Sequence, residues 1–142
     1  MGVLSDLIVG DSGDAEKIAE SVTPSEEFDG IDIKGIDTVK FTMLHALMTG
    51  RPYEELLSEY DPAFEVSEDG PWVYVIPDEL VSRLASLHQH ELRGIGDRWA
   101  QTDEFRLDGW EPDLVVTTLG QICEHAAKAF SSHRSLFLWM SL

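Results

Sequence analysis

The 142-residue chain carries 27 acidic against 10 basic side chains, a net charge of −17, and a field of that sign repels phosphate backbones and anionic lipid, so nucleic acid and membrane surfaces are excluded as partners. Its size suits one domain over residues 1–142, and 43% hydrophobic with 9% aromatic residues, free of repeats and low-complexity runs, excludes extended disorder. No apolar run reaches the ~18 residues that span a bilayer, MGVLSDLIVGDSGD has acids where a signal peptide has bases, and the single Cys123 forms no intrachain disulfide, which together predict a soluble cytoplasmic protein.

In chain order, LSDLIVG (4–10) is short and apolar, fitting a buried strand or a helical turn, and DSGD breaks it. GDSG at 10–13 repeats the tetrapeptide around the nucleophile of chymotrypsin-like serine proteases, but that arrangement places its histidine and aspartate far upstream and needs two barrels, and with nine residues before Gly10 a chance match is the expectation. Residues 14–22 are weakly helical. TPSEEFDGIDIKGID (23–37), rich in Gly, Pro and acids, reads as a connector.

Asp37 is placed to cap a helix over 38–49, which Gly50 ends at the position where a left-handed conformation costs glycine nothing. Pro52 opens a short helix to residue 60, and Asp61-Pro62 closes it. WVYVI (72–76), aromatic and β-branched after an EDGP turn, is the clearest strand. Pro77 then opens a helix to about Arg93, with Asp78 and Glu79 at the positive end of its dipole and Gly94 and Gly96 as breakers.

Residues 94–110 have no clean period and read as an ordered loop holding Trp99, Phe105 and Trp110. Pro112 starts the longest helix, to about Ser131, and SLFLWMSL closes the chain as a buried strand. These elements predict an α+β fold, a small mixed sheet packed against three to four helices.

The helix over 38–49 is apolar almost all round, and at 100° per residue Thr42, His45 and Thr49 fall together on its one uncharged polar wedge. A buried polar wedge must find hydrogen bonds inside the protein or line a pocket. Packing is the expected role of His45, with a pocket formed by His45, Thr42, Thr49 and Trp110 as the alternative. On one continuous helix His88 and His90 diverge by about 200° and share no ion, whereas His88 and Glu91, one turn apart, form a candidate acid/base pair.

His125 lies on the polar margin of the longest helix, which predicts a surface or rim role, and Cys123 sits near its apolar stripe as a packing residue. Arg83, Arg93, Arg98 and Arg106 are interleaved with Asp97, Asp103, Glu104 and Asp108, the pattern of local ion pairs. There is no phosphate-binding glycine loop, no GxSxG, no HExxH and no paired CxxC, so no metal site and no cofactor is implied.

Three segments taken together, LHALMTG (44–50), WVYVIPDELVSRLASL (72–87) and the stretch from Trp110 through CEHAAKAF to LFLWMSL, resemble the YfbM-like family, a bacterial domain-of-unknown-function family. The resemblance is carried by Leu44, His45, Leu47, Thr49 and Gly50, by Pro77, Asp78, Glu79 and Leu80, and by Trp110, Ala126 and Ala127. It implies a compact α+β fold and a cytoplasmic protein, and it brings no activity with it. This chain departs from the expected pattern at Thr42, where a second histidine would stand, so a role needing two histidines on that helix is not implied.

Residues 1–70 hold 17 acids and 4 bases. With no catalytic constellation in view, the expectation is a small acidic binding or interaction protein; the acidity reads first as solubility or adaptation to a salty cytoplasm, with a face over residues 1–70 that docks a basic protein partner, or mimics DNA, as the alternative. The alternative is an enzyme or small-ligand binder with a pocket around His45 and Trp110. No oligomeric state is implied.

Overall fold

The computed structural model describes residues 3–33 and 35–142, so residues 1 and 2 of the opening segment and residue 34 of the expected connector lie outside the described residues. Strand β1 (Leu4–Gly10) is followed by short helices α1 (Ala15–Glu20) and α2 (Pro24–Glu27), strand β2 (Asp29–Asp32) and helix α3 (Thr38–Thr49). Helix α4 (Tyr53–Leu56) and a tight 3-10 turn (Leu57–Glu59) lead into the hairpin of β3 (Pro62–Glu65) and β4 (Trp72–Val75). Helices α5 (Asp78–Ala85), α6 (Gln89–Ala100), α7 (Asp103–Leu107) and α8 (Pro112–Ser131) precede β5 (Ser135–Ser141). No helix among the described residues is long and apolar enough to cross a membrane.

The strands form one sheet in the order β2-β1-β5-β4-β3. β5 sits at its centre, which is why its sequence is a continuous apolar run: Leu136, Leu138 and Met140 face one layer of helices, and Phe137 and Trp139 face the other. On the thicker side Leu7, Val9 and these β5 residues pack against α3, α5, α6 and α8. On the thinner side Ile8, Val73 and Phe137 pack against Ile18 and Ala19 of α1.

The α+β class stands, with two corrections of detail. Every described strand pair is antiparallel, so the sheet is not mixed; pairing direction is set by how β1 meets β5 across the whole chain, which no local pattern reports. Eight α-helices are present among the described residues, not three or four. Edge strands β2 (DGID) and β3 (PAFE) were not expected as strands. Asp, Gly and Pro are depleted in strands generally but tolerated at sheet edges, where charge and proline also blunt further pairing.

The single helix expected from Pro77 to Arg93 is two. Ser86 turns its hydroxyl back onto the carbonyls of Ser82 (3.0 Å) and Arg83 (3.2 Å), the chain leaves the helix, and α6 begins after His88. Gly94 and Gly96, expected to break a helix, lie inside α6. Gly96 is there for proximity: a Cβ at this position would stand 2.6 Å from Val116 Cγ2, so its missing side chain lets α6 close onto α8. The expected loop 94–110 is therefore the second half of α6 followed by α7.

Local signals hold at α3, where Asp37 Oδ1 accepts from the Lys40 N–H at 2.9 Å and Gly50 ends the helix at φ +75°. They hold also at the first turn of α8, which opens on Pro112. His125 of α8 is buried, contrary to the expected surface role. Its Nε2–H donates to the Asp29 carbonyl at 2.9 Å and ties edge strand β2 to the long helix. Cys123 is half-buried, and burial pushes its thiol up to about 12, as suits a packing residue.

Candidate functional site

His45 has no solvent exposure, and both ring nitrogens are occupied. Its Nε2 lies 2.6 Å from Glu79 Oε1 at the start of α5, and its Nδ1 lies 3.0 Å from the hydroxyl of Tyr60, which follows the 3-10 turn. The Glu79 carboxylate can only accept, so Nε2 carries a proton; in the neutral ring Nδ1 then accepts from the Tyr60 O–H. The rings of His45 and Tyr60 meet edge to face, centroids 5.9 Å apart. Burial pushes the Tyr60 phenol well above its usual range, so it stays a neutral donor.

Glu79 is 40% exposed at its side chain and links this buried pair to the surface. There Arg51, the residue after the glycine that ends α3, donates to Glu79 Oε1 (2.6 Å), to Glu55 Oε1 (3.1 Å) and to Glu59 Oε2 (2.6 Å). The hydrogen bond from His45, and after it that from Arg51, holds the Glu79 carboxyl below the ordinary glutamate value. The outcome is a chain of contacts, Tyr60 to His45 to Glu79 to Arg51, that pins α3, the 3-10 turn and α5 to one another.

The threonines of the wedge turn inward to their own helix: Thr42 Oγ1 donates to the Thr38 carbonyl at 2.7 Å and Thr49 Oγ1 to the His45 carbonyl at 2.8 Å. Trp110 is elsewhere. It stacks edge-on to Phe105 (5.1 Å), which stacks edge-on to Trp99 (4.8 Å), whose indole N–H donates to the Lys40 carbonyl at 2.9 Å. Trp110 lines an open cavity of about 320 Å³ with Asp32, Ile33, Leu114, Thr118 and Gln121. His45, Thr42 and Thr49 are not among the described residues that line the cavity at Trp110.

His88 and Glu91 meet as a helix cap and not as an acid/base dyad: the exposed His88 offers its backbone N–H to Glu91 Oε1 at 3.2 Å, closing the first turn of α6. Because the helix is broken at His88, the His88 and His90 rings stack, centroids 5.5 Å apart and 12° from parallel, where one continuous helix would set them on opposite sides. Stacked faces do not aim two lone pairs at one point. Among the described residues no group of three or more His, Cys, Asp or Glu side chains is arranged to hold a metal ion.

On the thinner face of the sheet, β1, β2 and α2 enclose a second cavity of about 230 Å³. Asp6, Glu26 and Asp32 line it together with Leu4, Val22 and Trp139. Asp6 is almost wholly buried. Its Oδ2 accepts from the Ser25 N–H at 3.2 Å, and burial, reinforced by the facing Asp32, pushes its carboxyl up against the opposing pull of that hydrogen bond. Sequence reasoning missed this grouping because Asp6 sits within an apolar run and Asp32 within an unrecognised edge strand.

It also missed Tyr60 and Glu79 as partners of His45, and Arg51 as the partner of Glu79. Only the Arg51 and Glu55 spacing, four residues apart, was a local signal.

No family model matches the chain, and no curated protein is significantly similar to it in sequence. Among solved structures, the chain is similar to the crystal structure of a protein of unknown function, YfbM from Escherichia coli, with a TM-score of 0.43 and 16% identity over 96% of this chain and 99% of that one. That protein bears the name of the family that the sequence resembles.

Proposed function

We propose that this is a non-enzymatic cytoplasmic docking protein whose acidic surface receives a basic polypeptide. The observation that carries the reading is where its own cations are spent. Lys40, Arg51, Arg93, Lys128 and Arg134 are engaged in ion pairs within the fold, while residues 1–70 contribute 17 acids against 4 bases, so the surplus negative charge is left for another molecule. In the best-organised acid/base group, His45 itself is fully buried with both ring nitrogens satisfied inside the fold, which supports binding over catalysis. The described lining of the cavity at Trp110 does not include His45, which is fully buried, and this weighs against a small-ligand or enzyme site shared by the two. The single free, half-buried Cys123 suits a reducing compartment.

Calorimetric titration with short peptides of alternating lysine and arginine, of neutral residues and of glutamate tests the reading. The basic peptide is expected to bind, with affinity falling as sodium chloride is raised from about 50 to 300 mM. No heat of binding at the lower salt, or equal binding of the neutral peptide, overturns it.

A further inference from the structure

We infer that the open cavity between α8 and the end of β2 binds a small, uncharged, planar heterocycle with an amide-like edge, which lies against Trp110 and pairs with the Thr118 hydroxyl and the Gln121 carboxamide. The site is independent of the docking role proposed above. Thr118 is the first support. A threonine inside a helix commonly turns its hydroxyl onto the carbonyl four residues back, as Thr42, Thr49 and Thr117 do here at 2.7, 2.8 and 3.0 Å. Thr118 does not: although it is only 6% exposed, its hydroxyl has no hydrogen-bond partner among the described residues. Nor is that hydroxyl sealed off, since the buried side-chain atoms without a partner among the described residues are Ser5 Oγ and Trp139 Nε1. Thr118 lines the cavity, so the cavity is where a partner can reach it.

The shape of the site is the second. Trp110, Ile33 and Leu114 supply its apolar surface, and about 320 Å³ falls at the low end of the ~300–1,000 Å³ typical of small-molecule sites, room for one ring or two fused rings. The aromatic wall is set before any ligand arrives. Phe105 meets Trp110 edge-on at 5.1 Å, and Gly35, at φ +92°, lays bare backbone against it, where a Cβ would stand 3.0 Å from Trp110 Cζ2. Polar chemistry then sets the class of ligand. Gln121 lies one turn beyond Thr118 on the same side of α8, and its exposed carboxamide likewise has no hydrogen-bond partner among the described residues. A hydroxyl and a carboxamide, each able to donate and to accept, complement an edge on which N–H and C=O stand side by side, and neither carries a charge to match an ion. The net charge of −17 further disfavours anionic forms of such a ring.

Uracil and hypoxanthine, titrated into the full chain and followed by nitrogen–proton spectra, test the inference. At least one is expected to bind with a Kd below about 1 mM, moving the Trp110 indole and Gln121 carboxamide signals while that of Trp99, whose indole N–H donates to the Lys40 carbonyl, stays in place. The same bases methylated at their ring nitrogens, which cannot donate, are expected to bind at least about fivefold more weakly. Thr118→Val removes the hydroxyl and is expected to weaken binding about fivefold while leaving Tm unchanged or higher, because no hydrogen bond within the protein is lost. Thr117→Val, on the exposed side of the same helix, is expected to leave binding as it is. No binding of either base up to about 5 mM, equal binding of the methylated bases, or wild-type binding by Thr118→Val overturns the site. A fall in Tm above about 4 °C for Thr118→Val overturns its premise, a hydroxyl free of the fold. The docking role is untouched by any of these outcomes.

Discussion

His45→Ala is the substitution that the structure makes most informative. It removes a fully buried ring and leaves the Tyr60 hydroxyl, on a residue only 7% exposed, without its acceptor. The orphaned hydroxyl costs about 1–2 kcal/mol, and the gap left against the Tyr60 ring and the α3 core costs a further ~1–2 kcal/mol. Glu79 adds little, because it is half in water and keeps Arg51. The sum, about 2–4 kcal/mol, corresponds to a fall in Tm of about 6–14 °C for a chain of this length, read by calorimetry beside wild type.

Tyr60→Phe tests the same contact from the other side and is expected to cost about 1–2 kcal/mol by orphaning Nδ1. Because one hydrogen bond is lost in either case, the double variant should be less destabilised than the sum of the singles by at least ~0.5 kcal/mol. A shift in Tm below about 1 °C for His45→Ala, or strict additivity in the double variant, would refute a closed, satisfied network.

Two further predictions concern glycine and pH. Within α6, Gly94→Ala meets open space and should stabilise by about 0.5–1 kcal/mol, whereas Gly96→Ala drives a methyl group into Val116 and should destabilise by about 1–3 kcal/mol; like signs in urea unfolding would contradict the close approach of α6 and α8. Asp6 has its folded value raised, so its ionisation opposes folding as pH rises through that value, whereas Glu79 has its value lowered and supports folding above the ordinary glutamate value, losing that support as pH falls through the lowered one. Asp6→Asn, which keeps an acceptor for Ser25 N–H, is therefore expected to be neutral or stabilising at pH 7 and to lose any advantage by pH 4; an advantage that grows on acidification would count against the sign.

What could be seen in the sequence is what local chemistry decides. Asp37 and Gly50 bound α3, Pro112 opens α8, and the apolar β5 reads as a buried strand, because a cap, a left-handed turn or a continuous apolar run of strand length leaves its mark within a few residues. The break at Ser86–His88 left none, having neither Gly nor Pro, and Gly96 misled because a glycine needed for helix–helix contact looks the same as one that ends a helix. His45 was legible as a polar residue that must be satisfied. The groups that satisfy it lie 15 and 34 residues away, and only the fold brings Tyr60 and Glu79 to it.

The central place of β5 has a consequence for synthesis. Residues 135–141 are made after the other four strands, yet they form the seam between β1–β2 on one side and β3–β4 on the other. Until they leave the ribosome, the nascent chain holds two hairpins with no strand to join them, each with a raw inner edge able to pair with the wrong neighbour. Joining Leu4 to Ser141 closes a long loop that holds every other strand, so the contact that makes the sheet continuous waits on the last of its five strands to be made.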